Sequence, residues 1–151
     1  MNGTNINNTF YSEYFDENIK NIYLLDKIEA SKLWTLYIDN NATTFFRLND
    51  SNPIIYNSKN MGNWREYYDA DNTLGLQYFL NLILNWSQED LVLFCINKEI
   101  IIKTNYKTFL DNIFNFLELH DDCPILVNIS KNNILDYIYF SSLGNIFHST
   151  L

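Results

Sequence analysis

Apolar side chains recur along this chain with two different periods, and the points where the period changes divide it into elements. Ala30, Leu33, Trp34, Tyr37 and Ile38 repeat at helical spacing behind Asp26 and Glu29, an acidic relative of the capping box, so a helix is expected over about 27–38. Leu76, Phe79, Leu80, Ile83 and Leu84 share one face of a second helix, about 73–84, which Asn72 or Thr73 can cap. Tyr106, Phe109, Leu110, Ile113, Phe114 and Leu117 share the face of a third, ending before His120-Asp121-Asp122. Between the second and third helices the pattern switches. Residues 91–96 and 100–104 are continuous β-prone runs around Asn97-Lys98-Glu99, a tip suited to a hairpin, and their lack of polar alternation implies burial on both faces. Residues 125–129, 134–140 and 146–149 follow as three antiparallel strands, separated by turns at 130–133 and 144–145.

The segment 40–63 carries weaker signals: residues 43–48 have strand character, Asn52-Pro53 reads as a turn and 57–63 as a polar loop. The order helix, helix, hairpin, helix, meander predicts an α+β fold, a mainly antiparallel sheet with about three helices packed on one face. Its core is expected to hold Phe94, Phe109, Phe114, Phe116 and Tyr78.

Length and composition sharpen this picture. With 151 residues, 47% hydrophobic and 17% aromatic, the chain fits one domain with enough apolar material for its own core. Residues 1–9 read as a flexible polar tail ahead of a single domain over 10–151, without the basic start and apolar run of a signal peptide. No apolar stretch approaches the ~18 residues of a membrane span, and a cytoplasmic protein is expected. Cys95, in an apolar run, and Cys123, before Pro124, are expected to be free thiols.

Charge adds the most to the functional reading. The net charge is −8, and the chain is rich in Asn, Ile, Tyr and Phe yet holds only 8 lysines. Residues 60–90 set Glu66, Asp69, Asp71, Glu89 and Asp90 against Arg65, and residues 109–122 carry Asp111, Glu118, Asp121 and Asp122 against no base, so each block is net −4. A field of that sign repels nucleic acid and anionic lipid and speeds encounter with basic proteins.

Motifs for chemistry are sparse. The glycine-rich dinucleotide and phosphate loops and the hydrolase elbow are missing. Cys95 with His148 is one conceivable nucleophile–base pair, but an apolar strand would blunt the thiolate. His120-Asp121-Asp122-Cys123 holds metal-ligand atoms, yet consecutive residues rarely converge on one ion, and a loop closing the third helix accounts for them. Asp69 and Asp71 could share a face as a carboxylate pair, with solvated loop acids the simpler account. No metal, cofactor or catalytic residue is therefore expected. Lys98, Lys103 and Lys107 make residues 91–108 basic, which suits edge protection and solubility rather than nucleic-acid contact.

Over about residues 64–145 the sequence resembles a small uncharacterised bacterial domain family. The likeness is carried by the acidic-aromatic segment from Trp64 to Asp71, Trp86, Val92-Leu93-Phe94-Cys95, Ile101-Ile102-Lys103-Thr104, and the stretch from Phe109 to Pro124 ending Leu119-His120-Asp121-Asp122-Cys123-Pro124. The acidic, aromatic-rich α+β character is also similar to immunity proteins of toxin–immunity systems, the contact-dependent inhibition type included, and implies binding without catalysis.

The leading expectation is an immunity or antitoxin-like protein that occludes a cognate basic toxin domain, a nuclease above all, because clefts that bind phosphate are basic. Trp64, Glu66, Tyr67, Tyr68, Asp69 and Asp71, with Glu118, Asp121 and Asp122, are the candidate partner-binding residues, since aromatics beside acids suit a hot spot that meets Lys and Arg. The alternatives are an acidic mimic of nucleic acid from a phage or mobile element, and an enzyme of unrecognised type. For Trp64 itself, a plug at the core edge is the competing account.

Overall fold

The two uninterrupted apolar runs form the middle of the sheet, where both faces must be dry. In a computed structural model that describes residues 3–119, 123–131 and 134–151, β4 (Leu91–Asn97) and β5 (Ile100–Asn105) make the expected hairpin. Around it lie β1 (Gly3–Asn5), β2 (Tyr23–Leu25), β3 (Lys59–Asn63), β6 (Ile125–Asn128), β7 (Asp136–Phe140) and β8 (Asn145–Thr150). Every pairing is antiparallel, in the spatial order β1-β2-β5-β4-β6-β7-β8-β3. The helices are α1 (Lys27–Tyr37), α2 (Pro53–Tyr56), α3 (Trp64–Asp69), α4 (Thr73–Ile83), α5 (Tyr106–Asp111) and α6 (Ile113–Leu117). The class is α+β, as expected.

The helices cover both faces of the sheet rather than one. Successive residues of a strand point to opposite sides, so Val92, Phe94 and Ile96 enter a cluster with Leu80 of α4, Phe109 of α5 and Phe116 of α6. Leu93 and Cys95 enter a second cluster with Trp34 of α1, Ile54 of α2, Tyr137 and Tyr139. A strand apolar at every position needs a lid on each side, and α1 is the second lid. Phe94, Phe109 and Phe116 meet with ring centroids 5.1–6.0 Å apart, and each such pair contributes about 0.5–1.5 kcal/mol beyond its burial.

Local chemistry explains the element boundaries. Asp26 accepts from the Glu29 amide at 2.8 Å, the N-cap the sequence predicts for α1. The third helix is broken: Asn112 leaves helical geometry, and its side chain donates to the Thr108 carbonyl at 2.9 Å, so α5 and α6 are separate turns. Residues 43–48 hold a 3-10 turn, Phe45–Arg47, rather than a strand, and Phe45 packs on Tyr139 at 5.0 Å between ring centroids. Asn52-Pro53 opens α2, with Asn52 accepting from the Ile54 amide at 2.9 Å and donating to the Ile38 carbonyl at 2.9 Å. Part of the polar stretch 57–63 is strand β3, which as an edge needs no apolar alternation and carries Lys59 and a bulge at Asn60–Gly62.

Residues 3–9 are part of the fold, contrary to the expected tail. β1 pairs with β2, and Ile6 is fully buried with its amide donating to the Ile22 carbonyl at 2.9 Å. Backbone pairing needs no apolar side chains, which is why an Asn-rich strand reads as a tail. Among the described residues no helix is long and apolar enough to cross a membrane.

Candidate functional site

The acidic-aromatic segment folds as α3 because Asn63 caps it, accepting from the Glu66 amide at 3.1 Å. The β7–β8 turn clamps the helix: Trp64 N donates to the Gly144 carbonyl at 2.6 Å, Trp64 Nε1 to the Ser141 carbonyl at 2.9 Å, and Arg65 to the Ser142 carbonyl at 2.8 Å. Gly144 adopts φ +103°, and a Cβ there would meet Asn63 and Arg65 at under 3 Å, so the clamp requires glycine. Trp64 is 7% exposed, a plug at the core edge rather than an exposed anchor, and the Arg65 guanidinium lies 4.8 Å from its ring centroid.

The remaining candidates stand around that plug. Tyr67 packs on Phe79 of α4, and Tyr68 meets Trp64 and Phe114 edge-on. Glu66, Asp69 and Asp71 are exposed. Tyr68 Oη donates to Glu118 Oε1 at 2.9 Å, joining the two acidic blocks, and the Glu118 carboxylate pushes the Tyr68 phenol pKa up. Asp121 and Asp122, with His120, lie outside the described residues.

Charge is divided unequally between the two sides of the sheet. The segments over the Phe94 face, residues 6–22, 64–90 and 106–119, carry Glu13, Asp16, Glu17, Glu66, Asp69, Asp71, Glu89, Asp90, Asp111 and Glu118 against Lys20, Arg65 and Lys107, a formal −7. Residues 26–58, over the opposite face, carry Asp26, Glu29, Asp39 and Asp50 against Lys27, Lys32 and Arg47, a formal −1. On the acidic side α4 presents Leu74, Tyr78 and Leu82, at i, i+4 and i+8, all 66–77% exposed. Tyr78 is thus a surface residue and not core. The spacing of this second stripe was visible in the sequence; the inner stripe of Leu76 and Leu80 claimed the helix first.

A buried polar group lies at the end of the same face. Asp136 Oδ2 accepts from Trp86 Nε1 at 2.7 Å, and Oδ1 meets Thr150 Oγ1 and His148 Nε2, each at 2.7 Å. Burial alone would raise the Asp136 pKa, but the bonds from His148, Thr150 and Trp86 outweigh it and hold the carboxyl below the usual carboxylate range. An ionised carboxylate accepts only, so His148 donates from Nε2. An imidazole oriented by a carboxylate is half of a nucleophilic site. Its supposed partner Cys95 lies in the cluster on the other side of the sheet, where burial pushes the thiol pKa far up, and Thr150 spends its proton on the same carboxylate. Strand register brings Asp136 and His148 together, and Trp86 reaches them from the loop after α4, so the sequence offered His148 no partner beyond the disfavoured Cys95. Cys95 and Cys123 are both buried, and among the described residues no three His, Cys, Asp or Glu side chains gather as a metal site would need.

The fold and this surface define an α+β protein with a sheet covered on both sides, one cover strongly acidic and partly apolar. The chain belongs to the family described as Protein of unknown function (DUF2947), whose model matches residues 9–146 and so reaches far ahead of Trp64, where the likeness read from sequence begins. No curated protein and no solved structure matches the chain.

Proposed function

We propose that this chain is a non-catalytic binding protein whose acidic helical cover occludes a basic protein partner, as an immunity protein occludes its toxin. A nuclease domain is the favoured partner, because a cleft that holds phosphates presents the complementary field. The observation that carries the reading is the formal −7 gathered over one side of the sheet beside the exposed Leu74, Tyr78 and Leu82 stripe. Charge steers and aligns, and apolar anchors supply the slow dissociation that charge alone lacks. Trp64 supports α3 from beneath, Glu66, Asp69, Asp71 and Glu118 supply the charge, and Tyr67 and Tyr68 fix its placement.

Co-expression with a toxic nuclease domain, where one is found encoded beside this gene, tests the reading. Growth is rescued by the wild-type chain, and rescue fails when Asp69 and Asp71 are both changed to Lys. Association in vitro slows as salt rises, with a smaller change in dissociation. Equal protection by a folded Asp69→Lys/Asp71→Lys chain and by a Leu74→Gln/Tyr78→Gln chain would place the interface elsewhere and sink the proposal.

A further inference from the structure

The side of the sheet remote from the acidic cover holds an open cavity of about 420 Å³, within the size range of small-ligand pockets. Its floor is a ring pair, Tyr139 and Phe147, stacked at 4.9 Å between centroids and 17° between planes, and Phe45 closes one end against Tyr139 at 5.0 Å. Phe46 and Leu143 stand at the mouth, 63% and 81% exposed. Large apolar side chains left in water beside a ring-lined hollow are costly, and a flat ligand would cover them. Among the described residues that line the cavity the charged side chain is Asp50, and none is Lys or Arg; Arg47 follows Phe46 without lining the cavity.

We propose that this cavity binds a flat aromatic cation of one to three rings. The ring system continues the Tyr139–Phe147 stack beneath Phe46, and the positive charge meets Asp50 and the faces of the surrounding rings. The aromatic floor lies on the side of the sheet opposite the acidic cover, while Ser141 and Ser142 of the rim also accept the Trp64 and Arg65 hydrogen bonds that hold α3.

Thioflavin T, a planar cationic dye, is the probe, with anilinonaphthalene sulfonate as an anionic aromatic control. Titration of the full chain is expected to show one thioflavin T site by fluorescence, with the anionic probe weaker. Phe46→Ala and Asp50→Asn change exposed side chains and leave the core intact. Each should weaken thioflavin T by about threefold or more, the scale of one ring contact or one partly screened charge. Leu143→Arg, which places bulk and positive charge at the mouth, should abolish binding. Absence of saturable binding up to about 1 mM dye, unchanged affinity in both Asp50→Asn and Leu143→Arg, or tighter binding of the anionic probe would each overturn the assignment.

Discussion

Asp136 fastens three side chains with one carboxylate: Trp86 in the loop after α4, and His148 and Thr150 on β8. Removing one partner of a buried hydrogen-bonded charge group leaves the rest unsatisfied, so Asp136→Ala is expected to destabilise the fold by about 3–5 kcal/mol in chemical denaturation. The pH dependence has a definite sign. A carboxyl held below its unfolded value contributes stability that is complete above that value, near 3.9 for aspartate, and fades as pH falls through the folded one. The wild-type advantage over Asp136→Ala should therefore be full at neutral pH and shrink in acid. Equal gaps at both ends would show that the carboxylate's charge is not what holds the cluster. Single residues of this kind were the least legible in the sequence. Asp136 and His148 lie in different strands, and the register that joins them depends on turns, whereas Trp64 could be read only as one of two things until the Ser141 carbonyl was seen to take its indole proton.

At the level of elements, α4 is a helix with two apolar stripes, one buried and one exposed. Leu76 and Leu80 are fully buried against the sheet, while Leu74, Tyr78 and Leu82 face outward. Leu80→Ala is expected to lower unfolding free energy by about 2–5 kcal/mol, because a cavity is left behind. Leu74→Gln and Leu82→Gln should stay within about 0.5 kcal/mol of wild type, as exposed substitutions do, and lose partner binding instead. Calorimetry on the isolated variants separates the two stripes; a large loss from the outer substitutions would make that stripe core rather than interface. Helices and central strands were legible because their periods are long enough to repeat, and Asp26 marked the start of α1 by its side-chain chemistry alone. The short elements were not: α2 and α3 hold little more than one helical turn, and β3, an edge strand, carries no apolar alternation.

Across the whole molecule, the unequal charge of the two covers carries a stability consequence as well as a steering one. Ten acids against three bases on one cover repel one another in the folded state. Added salt should therefore raise the melting temperature of the unbound chain, and Asp69→Lys/Asp71→Lys should diminish that rise; a melting temperature indifferent to salt would show the acids too far apart to interact. The α+β class and antiparallel order followed from the pattern of elements, but the use of both faces was missed, although the unbroken apolar strands already required it. The sheet order has a further effect, on synthesis. β3 is made early and, among the described residues, pairs with β8 alone, some 85 residues later, so the edge formed by residues 59–63 stays unpaired until residues 145–150 have left the ribosome. The strand that completes the β7–β8 turn and delivers His148 to Asp136 is thus translated well after the elements it fastens. A chain cut short before residue 145 leaves β3 without the strand it pairs with and Asp136 without His148 and Thr150, an open edge and a buried carboxylate that invite proteolysis.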